Sequence, residues 1–210
     1  MVESFDCARH IFRSPRFRSV VNEAVSFFVQ TPLQILPPPE SFIGCGVYAL
    51  YYLGKYDLYA TLSKLNQKDG QYPIYVGKAV APGWRTGRVN ASTTPDLYNR
   101  LREHSRSLQQ AQNLQHTDFQ CRFMILNDIE GDLVVPVEAS LIRRYQPVWN
   151  VMVDGFGNHD PGSGRYNQAK SEWDVLHPGR VWAEKLSGAA PDLGDIIAKV
   201  KSHGVSSDFA

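Results

Sequence analysis

An arginine and a histidine four residues apart, Arg100 and His104, lie in a segment whose Leu97, Leu101 and Leu108 mark one helical stripe. At that spacing both project along the same face, toward a packed interior rather than water. Read singly, His104 is a core histidine satisfied by hydrogen bonds, but a guanidinium beside it must find an anionic partner. Glu138 shares its helical face with Leu141, Ile142 and Tyr145 in LVVPVEASLIRRY, so an acid stands where a packing residue belongs. Either the positive end of its helix or a hard divalent cation compensates such a carboxylate. Tyr48 in GVY and Tyr75 in YVG each sit close to a glycine and, read singly, are strand residues on a core or half-buried face. Asn150 in PVWN, read alone, is a turn residue.

The elements that must position these groups follow from periodicity and breakers. Residues 1–30 read as a helical arm, with Val20, Val21, Ala24, Val25 and Phe28 at helical spacing, closed by the breaker-rich TPLQILPPPE. GCGVYALYYL is the strongest strand signal, QYPIYVGK a second strand and DFQCRFMILN a third. Between the first two lies an insert over 53–72, whose Leu58, Leu62 and Leu65 suit a short amphipathic helix. After the loop at 79–94, Thr94 is placed to cap and Pro95 to open the helix that carries Arg100 and His104. EGD reads as a turn before the helix of Glu138, which stops before Pro147. Residues 154–168 form a polar loop, HPGRVWAEKLSG suggests a short helix and DLGDIIAKVKSHG a terminal one. There is no internal repeat.

Length and composition suit one soluble globular domain and exclude only the fibrous classes, and the strands and helices read above make its fold class α+β. The chain has 210 residues, 43% of them hydrophobic and 20% charged, enough to bury a core without staples. Cys7, Cys45 and Cys121 match neither a disulfide framework nor paired zinc spacing, and a reducing cytoplasm is expected. The opening MVESFDCARHIF lacks an apolar signal core, and no run reaches the roughly 18 apolar residues of a membrane span. Net charge is only +1, which excludes a uniformly basic nucleic-acid binder. Charge is nonetheless clustered. ARHIFRSPRFRS carries Arg9, Arg13, Arg16 and Arg18 without an acid, and 78–106 carries Lys78, Arg85, Arg88, Arg100, Arg102 and Arg106 against Asp96 and Glu103. Such a run is by default a solvated surface, but phosphate binding also permits it.

Taken in order, Gly46-Val47-Tyr48, Tyr75-Val76-Gly77, Arg100 with His104, Glu138 and Asn150 resemble the GIY-YIG nuclease superfamily over residues 44–150. GSGRYNQAKSEWD and HPGR are further similar to its small type II restriction enzymes that cut GC-rich palindromes. The resemblance implies a small three-stranded antiparallel sheet flanked by helices, with inserts at 53–72 and 79–94. An N-terminal helical arm over 1–40 and an extension over 151–210 complete a single nuclease domain. It also implies a Mg²⁺-dependent double-strand break, a homodimer on double-stranded DNA and a companion DNA methyltransferase.

Phosphodiester hydrolysis needs an activated water, charge relief on the phosphoryl group and help for the leaving oxygen. By the resemblance, Glu138 holds one divalent ion, Arg100 stabilises the transition state, and Tyr48 is the general base. Tyr75 and His104 orient water and phosphate, and Asn150 supports the site. A free tyrosine titrates near ~10 and histidine near ~6.5, so Tyr48 needs neighbouring cations for that role and His104 is the alternative base. Base reading falls to Arg85 and Arg88 in the loop and to Arg165, Gln168 and Lys170 in the polar tail, since arginine to guanine is the commonest such contact. A nicking or repair nuclease of the same superfamily and a non-catalytic DNA-binding regulator are the alternatives. The regulator would bind DNA equally with and without Mg²⁺ and never cut it.

Overall fold

The computed structural model describes residues 5–81, 83–84 and 93–203. Arg85 and Arg88 lie outside the described residues. Four strands, β1 (Gln34–Ile35), β2 (Gly46–Tyr52), β3 (Tyr75–Ala79) and β4 (Phe119–Ile125), form an antiparallel sheet in the order β1-β4-β2-β3. The three strands expected from sequence are β2, β3 and β4. The fourth, β1, pairs Gln34 with Cys121 and is too short for alternation to reveal.

All seven residues of β2 are buried, because helices cover both faces of the sheet. Tyr48, Leu50 and Tyr52 pack in one core with Leu97, Leu101 and Leu108 of α3 (Asp96–Gln110). Val47, Ala49 and Tyr51 pack in a second core with α1 (Phe17–Gln30) and α4 (Val134–Tyr145). The insert forms α2 (Ala60–Asn66), with Leu62 buried but Leu65 facing out. Asn66 pins it by donating to the carbonyls of Tyr52 and Tyr72 at 3.2 and 2.9 Å. Pro95, rather than Thr94, takes the N-cap of α3, and the Thr94 hydroxyl donates to Asp96 instead. Gln146 adopts a left-handed conformation that ends α4 ahead of Pro147. EGD belongs to a 3₁₀ segment, Asp128–Leu133.

The C-terminal third is part of the first core, since Trp173, Leu176, Ile196 and Val200 pack in the same cluster as Tyr48. It contributes α5 (Val148–Val151), α6 (Glu172–Leu176) and α7 (Leu193–Ser202). Side chains of Ser171 and Asp192 cap the last two. The helix expected in HPGRVWAEKLSG is only a 3₁₀ turn, Ala183–Lys185, because Arg180 ahead of it is committed to other contacts. No helix among the described residues is long and apolar enough to cross a membrane.

Those contacts form a buried clamp. Arg180, 1% exposed, makes a two-pronged ion pair with Asp174, Nε to Oδ1 at 2.6 Å and a terminal nitrogen to Oδ2 at 2.8 Å. Its guanidinium lies between the rings of Trp173 and Trp182, 4.6 and 4.7 Å from their centroids. Its remaining donors reach the carbonyls of Gly155 at 2.9 Å, Phe156 at 3.0 Å and Asn158 at 3.3 Å. One side chain thereby fastens the whole loop after α5. Asp174→Asn leaves a buried guanidinium uncompensated and is expected to lower unfolding stability by roughly 3–5 kcal/mol. An unchanged urea midpoint would contradict the clamp.

A second buried network ties the insert to the extension. Trp149 Nε1–H donates to the Tyr59 hydroxyl at 2.9 Å, so that hydroxyl donates onward to His177 Nε2 at 2.7 Å. His177 Nδ1–H then donates to Asn113 Oδ1 at 2.8 Å. Burial lowers His177 to about 3. Between pH ~3 and ~6.5 the unfolded chain binds this proton and the folded chain does not, so its contribution is complete above ~6.5 and is lost as pH falls toward ~3. By pH 4 the loss due to His177 is roughly 3 kcal/mol. Urea unfolding at pH 4 and 7 should show a shallower pH dependence in His177→Gln than in wild type; parallel curves would remove His177 as the cause.

Candidate active site

Strand register brings the two tyrosine motifs together. Tyr48 on β2 stands opposite Gly77 on β3, two residues from Tyr75. A Cβ at residue 77 would lie 2.4 Å from the Tyr48 hydroxyl oxygen, so the phenol occupies space that only glycine leaves. The rings of Tyr48 and Tyr75 are 6.2 Å apart, and His104 of α3 is 5.3 Å from each. Phe156 stacks on His104, centroids 4.6 Å apart, and meets Tyr75 edge-on at 4.9 Å. Asn150 on α5 accepts from Val76 N–H at 2.7 Å and donates to Val76 C=O at 2.8 Å. Its amide thus acts as one further rung on the outer edge of β3 and fixes the strand that carries Tyr75, Gly77 and Lys78.

Tyr48 Oη and His104 Nε2 are 2.5 Å apart, both fully buried. Burial raises Tyr48 well above its ordinary value, with Tyr75 adding to the rise and Arg100 opposing it. Burial, followed by Arg100, lowers His104 well below the ordinary imidazole range. The resting pair is therefore a phenol donating its proton to a neutral imidazole, with the ring proton of His104 on Nδ1. Tyr48 alone is a poor base in this setting, and Tyr48 coupled to His104 is a better one.

Arg100 is held from two sides. One terminal nitrogen donates to Glu103 at 2.9 Å and to His159 Nε2 at 2.5 Å, and the other donates to the Gly157 carbonyl at 2.8 Å. Gly157 is required by closeness, because a Cβ there would lie 2.7 Å from the Tyr75 hydroxyl oxygen. Burial works against the charge of Arg100, but Tyr48, Glu103 and Tyr75 outweigh it and raise its pKa, so it stays a cation. The anionic partner expected from sequence is Glu103 on its own helix, with neutral acceptors from the loop that Arg180 fastens.

Glu138 reaches the site from the other side of β3. Lys78 follows Gly77, so its side chain emerges on the opposite face of the strand and forms an ion pair with Glu138. Because β3 is an edge strand, the two faces communicate around it: burial raises Tyr75, Arg100 opposes the rise, and the Glu138 charge adds to it. Neither the helix end nor a metal is needed to explain the half-buried acid at rest; Lys78 does so. Glu138 is nonetheless a hard oxygen donor, and Mg²⁺ commonly takes one or two carboxylates with water and phosphate oxygens. Among the described residues no three metal-ligating side chains cluster, so the fit is to an ion completed by substrate, not to a protein cage.

Beside Arg100 a cleft of about 180 Å³ is lined by His104, Phe156, Asn158, His159 and Asp160. It shares Asn158, His159, Asp160 and Trp182 with a second cleft of about 380 Å³ that reaches Arg165 and Gln168. Lys170 is instead paired with Glu184 at 2.7 Å. A cavity of about 720 Å³, between Tyr56, Leu62, Val148 and Lys201, contains none of these groups. The structure thus gathers Tyr48, Tyr75, Arg100 and His104 on one face of β3 and Glu138 on the other, with Asn150 on its edge. Lys78, His159 and Arg180 were not assigned site roles from sequence. Lys78 had a usable signal, its place directly after YVG on the opposite strand face, and Arg180 lay in HPGR, whereas an exposed loop histidine carries none.

Residues 40–204 match the Eco29kI GIY-YIG domain. No curated protein matches the chain. The match runs well past the catalytic helices to include the Arg180 clamp and α7, as their shared core with Tyr48 requires, and the chain belongs to the Eco29kI GIY-YIG family of restriction-type nucleases.

Proposed function

We propose that the chain is a Mg²⁺-dependent type II deoxyribonuclease that makes double-strand breaks at a short GC-rich palindrome. The hydrogen-bonded Tyr48–His104 pair beside Arg100, with Glu138 across the same edge strand, carries this reading. Scissile phosphate would accept from Arg100, whose contacts to Glu103 and His159 leave donors toward Tyr48 and Tyr75. Water loses a proton to Tyr48 Oη while Tyr48 passes its own proton to His104 Nε2, and the resulting hydroxide attacks phosphorus as the bond to the leaving oxygen breaks, that oxygen departing as an alkoxide that takes its proton from solvent. Moving one proton along a preformed 2.5 Å contact avoids a free phenolate and leaves the transient imidazolium of His104 to be balanced by the anionic phosphate. Lys78 must release Glu138 for that carboxylate to hold Mg²⁺, which when bound would neutralise charge on the phosphate and the leaving oxygen.

Arg165 and Gln168 line the cleft that continues from Arg100, a path by which DNA leads from cut bond to base edges. Arg165 is the better candidate for guanine. Lys170 reaches DNA only by giving up Glu184. A palindrome presents two equal half-sites, and one chain supplies one set of site residues, so a homodimer on DNA satisfies both. A companion methyltransferase protecting the host's sites and a cytoplasmic location follow from that role.

Digesting a mixed-sequence plasmid with Mg²⁺ and sequencing the ends tests the reading as a whole; binding without cutting would favour a regulator. Glu138→Gln is expected to abolish cleavage while retaining target binding, and mixed with wild type it should yield nicked circles. Substantial cutting by the variant alone would overturn the metal role. Tyr48→Phe is expected to lower turnover by roughly 10²–10⁴-fold with the fold preserved. Near-normal turnover would leave His104 as the base acting directly on water.

A further inference from the structure

The arm ahead of α1 has a surface that neither the fold nor the active site uses. Every residue from Phe5 to Val20 is exposed. Between Asp6 and Glu23 there is no acid, while Arg9, Arg13, Arg16 and Arg18 recur at intervals of two to four residues and Phe12 and Phe17 stand among them, 89% and 53% exposed. No ion pair among the described residues involves Arg13, Arg16 or Arg18. With a net charge of only +1 for the chain, four arginines in this stretch leave the remainder net acidic, so positive charge is concentrated here. Helix stability does not account for them, because α1 has no acid in its first turn and cations near a helix start oppose its dipole.

The arm also has a definite place. At the C-terminal end of α1, the carbonyls of Val29 and Thr31 accept from Arg122 in the middle of β4. Val21 and Val25 pack in the cluster of Met124, Leu126, Val134 and Val137. The helix therefore covers the same face of the sheet as Lys78 and its partner Glu138.

We propose that residues 8–18 are a second DNA-contacting surface, a clamp on the phosphate backbone beside the cleaved bond, with arginines on phosphates and Phe12 and Phe17 against sugars or bases. The proposal rests on the nuclease reading above, which supplies the polyanion. Duplex DNA, with one charge per about 1.7 Å of axis, complements an acid-free arginine run, whereas a second copy of the arm would repel it.

The test is salt-dependent binding of the full chain to a 30-bp mixed-sequence duplex, because phosphate contacts do not depend on sequence. The triple variant Arg13→Gln, Arg16→Gln, Arg18→Gln should bind more weakly, and the slope of log affinity against log salt should fall by about 0.9 for each phosphate no longer neutralised, roughly 2 to 3 in all. The corresponding triple lysine variant should keep most of the slope. Circular dichroism checks that α1 persists. An unchanged affinity and slope overturns the clamp while leaving the nuclease reading intact. A variant that keeps the slope but sediments as a smaller species makes the arm a subunit contact and also overturns it. If wild type binds no duplex and cuts none, the nuclease reading fails and the clamp fails with it.

Discussion

The buried ion pair between Arg180 and Asp174 organises the chemistry although neither residue touches the reacting groups. Removing two charges from water is costly, and it is tolerated here because both carboxylate oxygens and three backbone carbonyls satisfy one guanidinium between two indole rings. Breaking one link would leave several polar groups unpaired at once, so the loop has one low-energy arrangement. That loop presents the Gly157 carbonyl and His159 to Arg100, and Phe156 to His104. The orientation of Arg100 is thus set by an arginine eighty residues further along the chain.

Around this fixed point the site separates its charges by face. The dry side of β3 holds Tyr48 and His104, whose ionisation burial opposes in opposite directions, leaving a neutral hydrogen-bonded pair ready to move one proton. The other side holds Lys78 and Glu138, a pair already charged and partly open to solvent. Because β3 is an edge strand, its two sides lie within reach of one another. Asn150 makes that edge rigid by completing the hydrogen bonds of Val76 that a neighbouring strand would otherwise take.

Much of this was legible from the chain itself, for identifiable reasons. The strands at β2, β3 and β4 are β-branched and aromatic, and α3 and α4 carry apolar residues at helical spacing, so the core and Tyr48, Tyr75, Arg100, His104 and Glu138 fell on the expected elements, whereas Asn150, read as a turn residue, lies on α5. The family match bears out the nuclease class and the fold. What stayed hidden depends on distant partners. A two-residue β1 has no period, His159 has no pattern, and Arg180, in the HPGR that opens an expected short helix, gave no sign of its partners at 155–158 and 174. Glu138 was correctly read as an acid in need of compensation, yet its resting partner is Lys78, because residues sixty apart meet only through the strand-helix packing. Tyr48 was read from its type as needing neighbouring cations, whereas its burial raises it further and its hydroxyl meets His104, a contact that spacing along the chain does not reveal.

The clamp also imposes an order in time. A chain emerging from synthesis completes β2, β3, α3 and α4 well before residue 180 exists, and through that interval nothing fastens Gly157 and His159 to Arg100. Because Arg180 follows the elements it organises, the arrangement around Arg100 is set only once residues 174 to 180 have folded against the loop.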